Sequence, residues 1–330
     1  MLIGKNLVMT KISRRVFLAA STVAGLASQA RAQAYPAQPI RLVVPYAPGG
    51  GSDFTGRLVA QKLQEIAGFG FIVDNRPGAA GMLGTEIVAR AAPDGYTLLL
   101  ADVAHRINPA VYSKARYDAV KSFAPVTLIG ASPQALVAHP SFPANSLKEL
   151  LAMPPEQRKT IAVGSPGLGS GPHLTYELLR TKIGLELVHV PYKGGAPALA
   201  DAINGQIPLV MNAMAPVMPH LQSGRLKALA IATAERHPRL PGVQTYAESA
   251  PGVVVYNWYG VLAPAGTPAA VTDRLAENIA RVLVLPDVKE KFDASFLDVM
   301  PQGPVEMARF LDDEVRQWKN VATQTGILLD

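Results

Sequence analysis

Short apolar runs alternate with stretches of helical periodicity along the first part of the chain. The runs at 40–44, 71–73 and 97–100 predict strands, and the stretches at 53–67 and 81–91 predict helices between them. Strands about 30 residues apart with a helix between them are typical of parallel βαβ units. The pattern therefore predicts an α/β fold, in which ligands bind beyond the carboxyl ends of the strands.

A second set of the same kind follows further along the chain. Its strands are predicted at 160–163, 187–190, 209–211 and 228–231, with helices at about 172–182 and 196–204. Repetition of the alternating pattern predicts a second α/β domain rather than an extension of the first.

Two longer extended segments connect these sets. One runs from 123–129 past Pro133 into the apolar run 135–138, and the other, 253–262, is too long for an ordinary strand. One segment leaves the first set and the other returns to it, which indicates a double crossover. The sequence thus predicts a first domain from 35–132 plus 257–330 and a second from 133–256.

Residues 1–34 have the features of an export signal. The pair Arg14-Arg15 precedes a mildly apolar run at 16–27, and two Ala-x-Ala sites follow within 30–34. This order is typical of a cleaved twin-arginine signal. A general-secretion signal and a membrane anchor are the alternatives, but an anchor needs about 20 apolar residues. We therefore expect a periplasmic and soluble mature protein.

The charge of the chain resides mostly in this signal. The whole sequence has 31 basic and 25 acidic residues, and five of the basic ones lie within 1–34. The remaining 26 basic residues nearly balance the 25 acidic ones, and none of them form a basic run. This distribution argues against a nucleic-acid partner.

Several kinds of chemistry lack the residues that they need. There is no cysteine, which excludes thiol catalysis and iron–sulfur clusters, and the six histidines lack metal-site spacing. The series Gly167-x-Gly169-x-Gly171 departs from the dinucleotide spacing, and neither a phosphate loop nor a G-x-S-x-G elbow is present. The sequence predicts a protein without catalytic residues, metal or cofactor.

Four glycine-rich turns stand between a predicted strand and a predicted helix. They lie at 45–53, 75–81, 165–173 and 191–195. Glycine lets a ligand approach the backbone closely, and a helix N-terminus attracts anions. Any one of these turns is an ordinary connector, but two in each domain facing one cleft predict an anion site.

The motifs also resemble a known family when they are taken in order. They are 45–50 with Asp53 and Arg57, then 75–78, 93–96, 107–109, His139-Pro140, 170–174, 190–194, 224–230 and 258–268. In this order they resemble the periplasmic solute-binding proteins of tripartite tricarboxylate transporters, the Bug/TctC family. The likeness covers nearly the whole chain after residue 34.

The resemblance implies a periplasmic binding protein type II-like fold, in which two α/β domains close on a ligand in a central cleft. It implies capture of a mono-, di- or tricarboxylate, aromatic acids included, and delivery to membrane permease subunits by a monomer. A ligand sensor for a membrane receptor kinase uses the same clamp and is an alternative. An exported α/β enzyme is a further one.

Candidate ligand contacts come from the turns and from the resemblance together. They are Tyr46, Pro48, Gly49, Gly50, Ser52, Asp53, Gly78, Ala79, Ala80, His105, Arg106, Ser165, Gly169, Ser170, His173, Tyr192, Lys193, Gly194 and Asn212. Tyr46, Arg106 and Asn212 depart from the family's usual Phe, small residue and Asp. These departures predict selectivity for a second anionic group or a polar aromatic acid, with Arg106 facing the cleft. A solvated surface arginine is the alternative for Arg106.

Overall fold

The computed structural model describes residues 35–112 and 115–329. The predicted export signal, residues 1–34, lies outside this part. Contacts divide the chain into one unit that ends at Ala37 and another that begins at Gln38. Of the first unit only the irregular residues 35–37 are described, and every element below belongs to the second.

The strands agree with the predicted alternation. They are β1 (Ile40–Val44), β2 (Phe71–Asn75), β3 (Thr97–Asp102), β4 (Phe123–Ala138), β5 (Ala162–Ser165), β6 (Val188–Pro191), β7 (Leu209–Ala213), β8 (Lys227–Ile231), β9 (Tyr256–Pro264) and β10 (Asp298–Gln302). Each predicted strand is present with its ends moved by a few residues. The short strand β10 is an addition that the sequence pattern did not predict.

The helices fill the connections between these strands. They are α1 (Gly51–Ala67), α2 (Met82–Ala89), α3 (Ala104–Val111), α4 (Leu147–Ala152), α5 (Pro155–Arg158), α6 (Gly171–Ile183), α7 (Gly195–Ile203), α8 (Met214–Gln222), α9 (Tyr246–Ser249), α10 (Ala269–Leu283), α11 (Pro286–Ala294) and α12 (Pro304–Thr325). Helices cover the strands, so a strand such as β3 is buried along nearly its whole length instead of at alternate positions.

The strands form two parallel groups that are joined by antiparallel ones. β1 pairs in parallel with β2 and β3, and β5 pairs in parallel with β6 and β7. The strand order is β2-β1-β3-β9-β4-β7-β5-β6, with β8 and β10 also paired to β4. The predicted fold class, two βαβ sets joined by two crossing strands, is confirmed.

Strand β4 carries the connection between the groups. It spans 16 residues and continues through Pro133, as the long extended segment predicted at 123–138 requires. Its first half pairs with β9 and β10, and its second half pairs with β7 and β8. Its pairing with β9 shifts register between Pro125 and Thr127 and again between Leu128 and Gly130, so this first half of the strand is irregular.

Gly130 lies on β4 where β10 crosses it, and we predict that Gly130→Ala destabilises the protein. A Cβ there would clash with the carbonyl oxygen of Asp298 and lie 2.8 Å from Leu297 Cδ2. Forced overpacking of this kind costs about 1–3 kcal/mol. Urea denaturation should show that loss in the free energy of unfolding. The control is Gly242→Ala, since a Cβ on Gly242 meets nothing within 4 Å; equal midpoints for the two variants would contradict the prediction.

Candidate functional site

Four helices begin at one small cavity, which we call the inner cavity. Helices α1, α6, α7 and α8 follow β1, β5, β6 and β7, so their first turns lie at the carboxyl ends of the strands. The inner cavity has a volume of about 30 Å³, room for one or two water-sized groups. Its lining residues are Tyr46, Gly50, Gly51, Ser52, Asp102, Pro166, Ser170, Pro172, Gly195, Asn212, Ala213, Asn257 and Tyr259.

The helix starts make the inner cavity electropositive without a cationic side chain. The N-cap residues of α1, α7 and α8 are Gly50, Gly194 and Ala213, and none of them supplies a side-chain cap. The first N–H groups of a helix have no acceptor within it, and the helix dipole places partial positive charge there. Among the described lining residues none is Lys, Arg or His. The inner cavity is therefore suited to an anion held by backbone donors.

Asp53 holds the glycine turn before α1 in shape. Its carboxylate accepts hydrogen bonds from the Gly49 N–H at 2.9 Å, Arg57 Nε at 3.0 Å and Asn75 Nδ2 at 2.9 Å. Burial raises the pKa of Asp53, but these donors outweigh burial and keep the pKa below its usual value. Asn75 Nδ2 also donates to the carbonyl oxygen of Tyr46. Asp53 thus positions the turn and does not line the cavity.

Asp102 is a lining residue that the sequence analysis missed. It ends β3, is 7 % exposed, and accepts hydrogen bonds at Oδ1 from the Ala104 N–H at 3.1 Å and the Tyr46 hydroxyl at 3.3 Å. None of the ion pairs in the described part of the chain includes it. Burial raises the pKa of Asp102 to about 7. The sequence feature that could have identified Asp102 is an acidic residue at the carboxyl end of a predicted apolar strand.

Two further lining residues of the inner cavity, Asn257 and Tyr259, were not predicted from the sequence. Both lie on β9, two positions apart, and therefore face the same side of the strand. Tyr259 is the antiparallel partner of Asp102. The segment at 253–262 was predicted to be extended, and alternate residues of a strand share a face. That periodicity could have indicated that Asn257 and Tyr259 point to the same side.

A second cavity, the outer cavity, adjoins the inner one and shares Tyr46 and Pro166 with it. Its volume is about 200 Å³. The remaining lining residues are Gly78, Ala79, Ala80, Gly81, Tyr112, Gly167, Leu168, Pro191, Tyr192 and Lys193. Lys193 supplies a cation that the inner cavity lacks.

The turn at 78–81 is held in an unusual conformation against the outer cavity. Ala79 and Ala80 have φ of 46° and 48°, which costs free energy for residues with a Cβ. The carbonyl oxygen of Ala80 accepts a hydrogen bond from Asn108 Nδ2 at 2.9 Å. It also shares the single proton of the Tyr46 hydroxyl, 3.4 Å away, with Asp102. These bonds stabilise the strained turn and fix its backbone along the cavity wall.

Loops from the two strand groups touch each other around the cavities. The Tyr112 hydroxyl donates to the carbonyl oxygen of Leu168 at 2.8 Å. The Ala47 N–H donates to the carbonyl oxygen of Lys193 at 3.4 Å. Both cavities are enclosed between loops of the β1–β3 group and loops of the β5–β7 group.

The predicted site residues separate into those that line a cavity and those that do not. The inner cavity is lined by Tyr46, Gly50, Ser52, Ser170 and Asn212. The outer cavity is lined by Tyr46, Gly78, Ala79, Ala80, Tyr192 and Lys193. Neither lining set contains Pro48, Gly49, Asp53, His105, Arg106, Ser165, Gly169, His173 or Gly194.

Two of the predicted histidines are packing residues in this structure. His173 Nδ1 accepts a hydrogen bond from the Gly169 N–H at 3.0 Å, and its ring stacks on His189 at 4.3 Å. His105 Nε2 lies 3.0 Å from the carbonyl oxygen of Ala119. Burial lowers the pKa of each ring to about 3, so both are neutral. His173 supports the turn before α6, and His105 belongs to the core.

Arg106 lies away from both cavities, although the sequence analysis expected it to face the cleft. Its side chain is 4 % exposed and lines a different cavity together with Tyr117, Val315 and Lys319. Its Nε and Nη1 atoms have no hydrogen-bond partner among the described residues. The geometry thus gives Arg106 no direct contact with a ligand in the inner or outer cavity.

No helix in the described ranges 35–112 and 115–329 is long and apolar enough to cross a membrane.

Comparisons with known proteins find a matching family and similar solved structures. Residues 55–327 match the family described as "Tripartite tricarboxylate transporter family receptor". The chain is similar to the periplasmic binding protein BugD, with 32 % identity and a TM-score of 0.86 over 89 % of this chain and 99 % of that one. Members of this family are solute-binding proteins, and the fold is that of periplasmic binding proteins of this type.

Two further similar structures contain a small acid. One is Rpa4515 of R. palustris with adipate, with 33 % identity and a TM-score of 0.85 over 89 % of this chain and 99 % of that one. The other is MatC (Rpa3494) from Rhodopseudomonas palustris with bound malate. It has 32 % identity and a TM-score of 0.82 over 87 % of this chain and 99 % of that one.

We predict that Asp102→Asn raises the melting temperature by an amount that grows with pH. The pKa of Asp102 is about 7 in the folded protein and about 4 in an unfolded chain. Between these values the folded wild type keeps a proton that the unfolded chain has lost, so its stability falls as pH rises. The advantage of the variant should grow from about pH 4 to about pH 7 and then level off.

Thermal denaturation of wild type and variant across this range measures the effect. Asp273→Asn, at an exposed position on α10, is the matched control and should show no such trend. A difference in melting temperature that stays constant with pH would contradict the prediction.

Proposed function

Because the chain belongs to the tripartite tricarboxylate transporter receptor family, the Bug/TctC family, we propose that it is a periplasmic solute-binding protein for a small organic carboxylate. It captures the ligand by hinged closure and delivers it to membrane permease subunits, without catalysing a reaction. The observation that carries this proposal is the convergence of four helix N-termini on the inner cavity. The export signal predicted at 1–34 supports the periplasmic location.

One carboxylate group occupies the inner cavity in this proposal. Hydrogen bonds to a charged group contribute about 1.5–3 kcal/mol each, and a partly buried helix terminus contributes up to about 2 kcal/mol. A micromolar dissociation constant corresponds to about 8 kcal/mol. Backbone donors from several helices, with hydroxyls such as that of Ser52, are enough to reach this value after the cost of closure.

The rest of the ligand lies in the outer cavity. With a volume of about 200 Å³, this cavity has space for a short carbon chain, and Lys193 can pair with a second carboxylate there. The acids in the two similar structures, adipate and malate, are dicarboxylates. Together these features favour dicarboxylates as the ligand class.

The proposed contacts are the predicted residues that line either cavity, with Asp102, Asn257 and Tyr259 added. The glycines and Asp53 around them shape the turns. His105 and Arg106 stay sequence-based predictions, without supporting geometry.

Closure occurs between two lobes, which we assign as 35–132 plus 257–330 and 133–256. The change of pairing partners halfway along β4 supports this division. The hydrogen bonds between Tyr112 and Leu168 and between Ala47 and Lys193 join the lobes and favour the closed form. A ligand that contacts both lobes shifts the equilibrium toward that form.

We predict that Gly51→Ala weakens ligand binding. A Cβ at Gly51 would clash with the Tyr259 hydroxyl inside the inner cavity. Isothermal titration with adipate and malate should show micromolar binding by the wild type and a loss of about tenfold or more in the variant. Gly242→Ala is the control and should bind like the wild type, because its Cβ points into open space.

Two results would overturn the proposal. One is unchanged affinity in Gly51→Ala. The other is a wild type that binds no carboxylate but binds a neutral solute such as a sugar. Transport is tested separately, because loss of this protein from cells should abolish uptake of the carboxylate that binds in vitro.

We predict that Tyr112→Phe weakens binding by impairing closure. The variant loses the hydrogen bond to Leu168, worth about 0.5–1.5 kcal/mol, so the dissociation constant should rise about two- to tenfold. Small-angle X-ray scattering should show a smaller ligand-induced decrease in radius of gyration. Tyr176→Phe is the matched control, since its hydroxyl donates to Leu187 at the same 2.8 Å within one proposed lobe. Equal affinity in both variants would argue against closure through this contact.

A further inference from the structure

Asp102 places an acid inside the cavity that we assign to an anion. Its side chain is 7 % exposed and lines the same cavity of about 30 Å³ as the helix N-termini. No ion pair in the described part of the chain neutralises it, and no described lining residue carries positive charge. Two ionised carboxylates in so small a buried space repel each other strongly. An anionic ligand and an ionised Asp102 are therefore incompatible there.

We propose that Asp102 takes up one proton when the ligand binds and donates a hydrogen bond to the bound carboxylate. The proton comes from solvent and stays on the Asp102 carboxyl group, while the ligand remains ionised. A protonated carboxyl group offers one O–H donor, which an ionised one lacks, and an O–H to carboxylate bond is short and strong. This inference deepens the proposed function and rests on a carboxylate occupying the inner cavity.

Among the ionisable groups around Asp102, we expect only Asp102 itself to change its protonation state near neutral pH. Three tyrosines interact electrostatically with Asp102: Tyr46 in the turn after β1, Tyr259 on β9 and Tyr117 in the segment after α3. Burial raises the pKa of all three tyrosines, so they stay neutral at physiological pH. On the adjoining helix α3, burial keeps His105 neutral and Arg106 lies at a different cavity.

Helices α1 and α2, which also pack on β3, carry acidic residues that are already paired. On α1, Asp53 pairs with Arg57 at 2.9 Å. On α2, Glu86 pairs with Arg90 at 3.5 Å. Neither pair includes Asp102, so the proton count on ligand binding reports on Asp102 itself.

The protonation equilibrium of Asp102 in the free protein supports proton uptake on ligand binding. Burial already raises the pKa of Asp102 to about 7 without a ligand, and a neighbouring negative charge raises it further. Above about pH 7 the free protein must gain a proton to bind. Affinity should therefore fall about tenfold for each pH unit above that point.

Isothermal titration of adipate at about pH 8, in phosphate and in Tris, tests the proposal. These buffers differ in ionisation enthalpy, so the difference in observed heat gives the number of protons taken up. We expect uptake of close to one proton by the wild type and none by Asp102→Asn. The variant should bind with an affinity that is independent of pH between about pH 6 and pH 8, since its amide N–H replaces the O–H donor.

Asp273→Asn is the control and should take up a proton as the wild type does, and thermal denaturation verifies that Asp102→Asn is folded. Tight binding of adipate by the wild type at about pH 8 without proton uptake would overturn the inference but leave the proposed function intact. Preference for an amino acid over adipate, again without uptake, would overturn it in favour of an ionised Asp102 that pairs with an ammonium group. If no carboxylate bound at any pH, both the proton-uptake inference and the proposed function would be wrong.

Discussion

The first N–H groups of a helix find no acceptor inside the helix, and the site depends on where four such helix starts are placed. Each of these helices, α1, α6, α7 and α8, follows a strand with at most a short turn between, so the sheet topology brings their first turns together at the inner cavity. The resulting positive potential comes from fixed backbone dipoles. Such donors lose little conformational freedom when an anion binds, whereas a lysine or arginine would lose several rotamers.

Maintaining these donors in place requires support from the surrounding side chains. Asp53 holds the turn before α1 through three donors, and His173 holds the turn before α6 through the Gly169 N–H. Gly51 leaves room for the Tyr259 hydroxyl, where any larger residue would intrude. Several residues near the site thus shape the turns and do not themselves reach the cavities.

Much of the architecture could be predicted from the sequence because it follows local rules. Apolar runs such as that of β1 form strands, and glycine turns between a strand and a helix lie at the carboxyl edge of a parallel sheet. This reasoning predicted several residues that line a cavity, namely Tyr46, Ser52, Ser170 and Lys193. Strand β10 was not, since its sequence Asp298–Gln302 lacks an apolar pattern and pairs only because β4 is adjacent.

The sequence by itself determined the order of strands, helices and turns, and with them the edge of the sheet where the two cavities lie. Only the tertiary structure decided which side chains face the cavities. Successive residues of a helix point about 100° apart, so the sequence could not settle whether Arg106 on α3 faces the cleft or away from it. Asp102, Asn257 and Tyr259 meet across strands that are far apart in sequence. Their proximity results from strand register and burial, which no local pattern encodes.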